Sequence, residues 1–266
     1  MSSDLRFKRK VPPSLRRFLF VLPNLLTTAN LFLGFFSLIM ASREKWEVAA
    51  ISILVAAFTD GLDGRMARLT KTQSEFGEQY DSMSDLVSFG AAPAFLVFQW
   101  ALIPYGRLGW LACFLFLTCV AMRLARFNVQ KQNEEKRYFL GCPSPVAASC
   151  VAAAVLFYHE FQLSASRDVF VLNIMIILAL TMISSIRYRS FKDLNFKSQR
   201  GFGYALIIVV ILLLVSRKPE TYLFPIGMYY VLSAPVIALL IKLGLWRSNV
   251  ETEVEEDSSE DRFVDL

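Results

Sequence analysis

Eight long apolar segments constrain the fold of this chain more than any other feature. They run at about Leu22–Ala41, Val48–Arg68, Asp81–Ile103, Leu108–Phe127, Val146–Phe161, Val169–Ser185, Phe202–Val215 and Tyr222–Leu243. About 20 apolar residues cross a bilayer as a helix, and these lengths bracket that value if some helices extend beyond their apolar parts. The 55% hydrophobic content agrees, because it exceeds that of ordinary soluble domains. We predict an all-α integral membrane protein, a polytopic bundle of about eight transmembrane helices, or six if the last pair is peripheral or wrongly divided.

The two ends of the chain differ in charge from its apolar middle. Residues 1–21 are basic and include Ser14–Phe20, which is typical of an amphipathic segment at a membrane surface. The apolar run that follows is too long for a signal peptide and has no small-residue cleavage site, so we expect the segment to be retained. Residues 246–266 are acidic and predicted to form a disordered cytoplasmic tail. The predicted transmembrane domain is residues 22–245.

Basic residues are distributed unevenly between the predicted loops. With the N-terminus in the cytoplasm, 22 of the 28 Lys and Arg residues fall on the cytoplasmic side and six on the opposite side. This asymmetry follows the positive-inside rule and favours an even number of spans with both termini in the cytoplasm. The predicted location is a bacterial-type inner (plasma) membrane.

Four carboxylates lie at and after the end of the second apolar segment. Asp60 and Asp63 are three residues apart, and Asp81 and Asp85 are four apart. At these spacings each pair projects from one face of a helix, so two neighbouring helices could bring all four acids to one place. Acids at the edge of lipid are energetically costly, which indicates a functional site. The predicted topology puts that site on the cytoplasmic side.

The second apolar segment also predicts how deep Asp60 lies. Only about eleven residues, Val48–Phe58, are purely apolar before it, which is about 16 Å of helix. A hydrocarbon core is about 30 Å thick, so we expect Asp60 below the inner lipid boundary, in a polar cavity among the helices. A site half-sunk in the membrane suits a substrate that is itself a lipid.

Converging carboxylates repel one another, and a divalent cation relieves that repulsion because hard cations prefer carboxylate oxygens. Four acids exceed what one Mg²⁺ usually takes from a protein, so we predict two ions, Mg²⁺ or Mn²⁺, with Ca²⁺ as a further candidate occupant. Such ions commonly bridge phosphate oxygens. Gly61, Gly64 and Gly77 would let a phosphate or nucleotide approach the backbone, and Arg68 could clamp a phosphate.

The acids, the glycines and one arginine form an ordered motif. In full it is Asp60-x2-Asp63-Gly64-x2-Ala67-Arg68-x8-Gly77-x3-Asp81-x3-Asp85. This motif resembles the complete signature of the CDP-alcohol phosphatidyltransferases, with every position filled. The resemblance implies an enzyme that displaces CMP from a CDP-linked lipid with the hydroxyl of a small alcohol. It also implies a homodimer packed through membrane helices.

The resemblance further implies a role for each motif residue. The four acids would hold two divalent ions, and Asp85 would also be the base that activates the acceptor hydroxyl. The CDP-lipid pocket would be lined by motif residues and by a polar face of the first predicted helix; these residues are Gly64, Ala67, Arg68, Gly77, Asn24, Thr27 and Asn30. The polar face has a structural alternative, because Thr and Asn are tolerated where membrane helices pack.

Later motifs resemble the phosphatidylserine synthase branch of that family, which pairs RxARFN with a GxPSP turn. The matching stretches are Arg123–Asn128, Gly141–Pro145 and Arg187–Lys192. The resemblance implies a serine site, for which the candidates are Arg123, Arg126, Asn128, Ser144, Arg187 and Lys192. Arginine suits the carboxylate of serine because its fork binds two oxygens. The alternative for these basic residues is anchoring at the inner membrane boundary.

The expected reaction is therefore transfer of a phosphatidyl group from CDP-diacylglycerol to L-serine, with membrane lipids as surroundings and no nucleic-acid partner. Two alternatives within the family remain open: another acceptor, such as inositol phosphate, glycerol phosphate or choline, and an archaeal ether CDP-lipid as donor. A divalent-cation transporter is a remote alternative. It would need polar groups through the whole membrane, whereas the acids here cluster on one side.

Overall fold

Helices dominate the architecture, as predicted. The computed structural model describes residues 13–70, 74–131, 139–165, 168–184, 186–188, 213, 215 and 217–242. Within these ranges seven helices follow in order: α1 (Pro13–Ser42), α2 (Trp46–Thr70), α3 (Glu75–Tyr105), α4 (Arg107–Lys131), α5 (Ser144–Glu160), α6 (Val169–Ile183) and α7 (Pro219–Lys242). Two short strands, β1 (Phe139–Leu140) and β2 (Arg187–Tyr188), pair antiparallel.

The predicted count of eight spans is not confirmed. Seven of the eight apolar segments are helical, and the other, Phe202–Val215, lies almost wholly outside the described residues. Three stretches of the described helices are long and apolar enough to cross a membrane: Asn24–Ser42, Glu75–Tyr105 and Arg107–Val129. The backbone of Ser14–Phe20 continues directly into the first of these through α1. The predicted acidic tail, residues 246–266, also lies outside the described residues.

Helix α3 starts with a strong cap and then departs from regular α geometry. The Ser74 hydroxyl oxygen accepts a hydrogen bond from the backbone N–H of Gly77 at 3.0 Å, which satisfies one of the free donors of the first turn. Two π-helical segments, Leu86–Ala91 and Phe98–Leu102, interrupt the helix. The first begins directly after Asp85, and single π turns inside α-helices are frequent at functional sites.

Two apolar clusters form the core, and α5 contributes to both. One cluster joins α1, α2, α3 and α5 around Ile53, Phe89 and Leu96. The other joins α3 to α7 and includes Phe116 and Met175. Helix α5 carries many buried alanines, and small residues let membrane helices approach closely. Large apolar side chains on the outward faces are exposed, as expected for helices surrounded by lipid; examples are Phe32, Phe35, Phe58, Phe114 and Leu180.

A tight turn fixes the start of α5 against the end of α6. Gly141 has a φ of +83°, and a Cβ added there would lie 2.3 Å from the carbonyl oxygen of Met182. Only glycine fits both conditions. Cys142 donates its backbone N–H to the carbonyl of Thr181 at 3.1 Å, and Pro143 then leads into the helix at Ser144. The sequence Gly141–Pro145 therefore places Ser144 rigidly.

Candidate active site

Three of the four predicted acids meet between α2 and α3. Oxygens of Asp60, Asp63 and Asp81 all lie within 4.8 Å of one another. The two α2 acids are one turn apart and so share a face, and α3 brings Asp81 against that face. Three carboxylates this close repel one another, and hard divalent cations take such oxygens as ligands. The chemistry of the donor set therefore fits a divalent metal ion.

Asp85 adjoins this group one turn further along α3. Its side chain is buried, and its charge interacts with those of Asp60, Asp81 and Asp63. Asn30 of α1 donates from Nδ2 to Oδ1 of Asp85 at 3.1 Å. The structure thus brings all four predicted acids into one cluster, in which Asp63 and Asp85 are buried.

The predicted polar face of α1 is directed at the acids. Thr27 and Asn30 are both buried, and Thr27 donates from Oγ1 to Oδ2 of Asp63 at 3.4 Å. Each of these two side chains thus donates to a carboxylate of the cluster. Asn24 lies near Gly77, where an added Cβ would be 3.3 Å from Asn24 Oδ1.

The glycines of the motif differ in the space around them. Among the described residues, no heavy atom lies within 4 Å of a Cβ added at Gly61 or Gly64, so neither glycine is required for helix packing against them. At Gly77 an added Cβ would be 3.0 Å from Ser74 Oγ. Space therefore remains open beside the α2 acids, as a bound ligand would require. The side chains of Ala67 and Arg68 are outside the described residues.

Two serines that the sequence did not single out join α3 to α1. Ser84 donates to the carbonyl of Thr27 at 3.0 Å, and Ser88 donates to the carbonyl of Asn30 at 2.9 Å. A Cβ added at Gly34 would lie 2.4 Å from Ser88 Oγ. These contacts fix the register of α1 against the acids. Their only sequence signal is a serine spacing of four beside the Asp81–Asp85 pair.

The predicted serine-site residues do not all share one location. Arg123 of α4 donates from Nη1 to Ser144 Oγ at 2.8 Å, and its charge interacts with those of Asp85 and Asp60. Asn128 instead exchanges hydrogen bonds with Ser82, at 3.0 Å from its Nδ2 and 3.2 Å to its Oδ1. Arg126 is half-buried on the same helix.

Two further predicted residues cannot be placed beside these. Arg187 belongs to β2, whose backbone pairs with Leu140, but its side chain is outside the described residues. Lys192 lies wholly outside them. Arg123 and Ser144 are thus the two members of the predicted serine site whose side chains the structure brings into contact.

Fold and site together define a class of protein: a helical membrane protein with a partly buried carboxylate cluster suited to divalent cations. A sequence model of the family described as CDP-alcohol phosphatidyltransferase matches residues 20–186. This chain belongs to the CDP-alcohol phosphatidyltransferase family, as its motif predicted. Enzymes of this family generally depend on divalent metal ions, which agrees with the carboxylate cluster.

Individual relatives extend over most of the chain. A CDP-diacylglycerol–serine O-phosphatidyltransferase of Helicobacter pylori is 33% identical over 214 residues, covering 80% of this chain and 89% of the relative. An archaetidylserine synthase of Methanothermobacter thermautotrophicus is 36% identical over 169 residues, covering 63% and 69%. A CDP-diacylglycerol–serine O-phosphatidyltransferase of Bacillus subtilis is 28% identical over 171 residues, covering 64% and 91%.

Proposed function

We propose that this chain transfers the phosphatidyl group of CDP-diacylglycerol to the hydroxyl of L-serine, giving phosphatidylserine and CMP in phospholipid biosynthesis. The observation that carries the proposal is the cation Arg123, whose charge interacts with those of Asp85 and Asp60 and whose Nη1 donates to Ser144 Oγ at 2.8 Å. Serine has a carboxylate that arginine is suited to bind, whereas choline has none. The names of the relatives from Helicobacter pylori and Bacillus subtilis support the same acceptor and donor.

In this proposal Asp60, Asp63, Asp81 and Asp85 hold two divalent cations, Mg²⁺ or Mn²⁺, with Ca²⁺ able to occupy the same oxygens. When bound, such ions neutralise charge on the diphosphate and on the departing nucleotide. Thr27 orients Asp63 through its hydroxyl.

Asp85 acts as the base of the proposed reaction. It takes the proton of the serine hydroxyl, and the serine oxygen forms a bond to the phosphorus that carries the diacylglycerol. The bond from that phosphorus to the bridging oxygen of the diphosphate breaks, and CMP leaves with that oxygen. Asn30 fixes the orientation of the Asp85 carboxyl through its hydrogen bond to Oδ1.

The open side of α2 is the proposed position of the CDP group. Gly64 leaves space for close approach of the ligand to the helix, and Asn24 lies near Gly77 at the opposite wall. Ala67 and Arg68 follow Gly64 by about one helical turn, so they share its side of α2. The Arg68 guanidinium would bind a phosphate oxygen of the donor.

We also propose the membrane topology, the domain boundaries and the oligomeric state. Both termini and the site face the cytoplasm of a bacterial-type inner membrane, because the basic residues concentrate on that side. Residues 1–21 form a basic surface segment, residues 22–245 the transmembrane catalytic domain and residues 246–266 an acidic tail. The active form is a homodimer that contacts membrane lipids.

One assay tests the acceptor. Purified full-length protein receives CDP-diacylglycerol and Mg²⁺ or Mn²⁺, with labelled L-serine, inositol phosphate, glycerol phosphate or choline in parallel reactions. We expect CMP and a labelled lipid in equal amounts with serine. Asp85→Asn should abolish both products, whereas Glu160→Gln, a change at an acid far from the cluster in sequence, should leave them unchanged. CMP release with another alcohol and none with serine would contradict the proposal.

A second candidate differs only in the lipid donor. The Methanothermobacter thermautotrophicus relative is named for archaetidylserine, so an ether-linked CDP-lipid is a specific alternative. Competition between CDP-diacylglycerol and a CDP-linked archaeal ether lipid in one reaction separates the two donors. We expect the diacylglycerol donor to give the larger kcat/KM, and the reverse order would favour the second candidate.

A further inference from the structure

Ser144 has a location that a substrate-binding serine would not have. Its side chain is fully buried, at 0% exposure, and its hydroxyl oxygen accepts from Arg123 Nη1 at 2.8 Å. Arg123 is only half-buried, so a soluble acceptor has access to the arginine side chain but not to the fully enclosed serine. The hydroxyl can therefore influence the acceptor only through the group that it holds.

The turn before α5 explains why Ser144 can fix the position of the long Arg123 side chain. Gly141 and Cys142 are hydrogen-bonded to the end of α6 and the residues that follow it, and Pro143 restricts the backbone immediately before Ser144. The Ser144 hydroxyl oxygen is consequently a fixed acceptor at the start of another helix. An arginine side chain has several rotatable bonds, so one fixed contact at its tip removes much of its freedom.

Arg123 has hydrogen-bonding capacity that the described part of the chain does not use. Its Nε atom is buried and has no hydrogen-bond partner there. A buried donor without a partner is costly, and native proteins rarely keep one without a reason. With Nη1 held by Ser144, the edge formed by Nε and Nη2 is left, and that edge has the geometry of a carboxylate receptor.

We infer that Ser144 is a positioning residue: it holds the Nη1 side of Arg123 so that the Nε–Nη2 edge receives the carboxylate of the acceptor. This inference rests on the proposed function, because it concerns an acceptor with a carboxylate. It assigns Ser144 a specificity role without contact with the substrate, and it gives the buried Nε its partner in the loaded enzyme.

Steady-state kinetics of Ser144→Ala test the inference. The variant should raise KM for L-serine by about tenfold, since it removes one hydrogen bond to a charged group. It should leave kcat and KM for CDP-diacylglycerol within about twofold, because the cluster of acids is untouched. The matched control is Thr181→Val, which removes a buried hydroxyl that donates to the Leu178 carbonyl of its own helix. The control should leave KM for serine unchanged.

A double-mutant cycle with Arg123→Lys separates positioning from general loss of structure. Lysine has no Nε–Nη2 edge, so Ser144→Ala should change KM for serine by less than about twofold when it is added to the Arg123→Lys variant. Ser144→Thr, which keeps the hydroxyl, should restore most of the wild-type KM. These two results would support the inference even if Ser144→Ala lowers the thermal stability.

Three outcomes would overturn the inference. They are an unchanged KM for serine in Ser144→Ala, a fall in kcat at saturating concentrations of both substrates in that variant, and additive effects of the Ser144 and Arg123 substitutions on the KM for serine. Failure of the proposed function is a different result. In that case the wild-type protein itself would release no CMP in response to serine, whatever the variants do.

Discussion

The two ends of the helical bundle use their charged side chains in opposite ways. At the end that holds the start of α2 and the end of α5, acids are paired with basic side chains: Glu47 contacts His159, and Glu160 pairs with Lys218 at 3.1 Å. Glu160 also raises the pKa of the exposed Lys218 ammonium above its ordinary value, through a hydrogen bond and its charge. At the other end, oxygens of Asp60, Asp63 and Asp81 converge within 4.8 Å.

The difference supports the proposal that the chemistry takes place at the end that holds the acid cluster. Paired charges at an exposed surface contribute little beyond solubility and local order. Acids whose oxygens converge repel one another, which lowers stability, and such clusters persist where function requires them. Arg123, whose charge interacts with those of Asp85 and Asp60, donates from Nη1 to the hydroxyl of Ser144. A bound divalent cation would offset the repulsion among the acids, and the carboxylate of the acceptor would pair with Arg123.

We expect the largest loss of turnover from a change in the acid cluster. Asp63→Asn should lower kcat by about a thousandfold, because it removes a ligand of charge-stabilising ions. The same variant should raise Tm in metal-free buffer, since it removes repulsion from Asp60 and Asp81. Turnover and thermal denaturation with and without EDTA check both parts. Loss of activity together with a lower metal-free Tm would mean that Asp63 stabilises the fold instead.

Local helix geometry explains why the acid cluster could be predicted from the sequence. The spacings of Asp60 with Asp63 and of Asp81 with Asp85 fix which faces they share, and those spacings are visible without a structure. Contacts between helices are not local in this sense. Ser88, which bonds to α1, and Asn128, which bonds to Ser82, depend on the packing register.

The π segment after Asp85 is equally hidden in the sequence, because nothing in Leu86–Ala91 marks it. The number of membrane spans was hard to predict from the sequence for a different reason. Apolar runs give lengths, but Val169–Ile183 is shorter than a full span and Glu75–Tyr105 is longer, so hydropathy alone does not count helices reliably here.

Two glycines of neighbouring helices provide the next test. Gly34→Ala would place a Cβ 2.6 Å from the Ser88 Cα, so α1 must shift relative to α3. We expect the variant to destabilise the protein by about 2 kcal/mol and to lower kcat by about a hundredfold, because Asn30 would no longer align with Asp85. Thermal denaturation and turnover measure the two effects.

Gly61→Ala is the matched control for that variant. Its added Cβ meets open space, so the fold should gain about 0.5–1 kcal/mol from the better helix propensity of alanine. Any kinetic change should appear in KM for CDP-diacylglycerol. Equal destabilisation by both alanines would refute the distinction between packing and ligand-facing glycines.

A smaller effect is expected where α3 and α4 meet. Asn128→Leu removes the exchange of hydrogen bonds with Ser82, which should cost about 1 kcal/mol and lower kcat by less than about tenfold. KM for serine should stay constant if Asn128 serves the helix contact. A selective rise in that KM would instead return Asn128 to the serine site, as the sequence predicted.

The smallest effect is expected at the paired end. Lys218→Met removes an exposed ion pair with Glu160, so Tm, kcat and both KM values should stay at their wild-type levels. Parallel kinetics and thermal denaturation of this variant and Asp63→Asn give the comparison directly. A substantial loss of turnover in Lys218→Met would show that the two ends are not functionally distinct.

The most direct test of the central claim measures metal binding and turnover on the same samples. Mn²⁺ bound to the purified protein is counted by electron paramagnetic resonance, and CMP release is followed with CDP-diacylglycerol and L-serine. We expect two bound Mn²⁺ ions per chain and serine-dependent CMP release in the wild type, and loss of both in Asp63→Asn. Unchanged Mn²⁺ binding and unchanged CMP release in Asp63→Asn would contradict it.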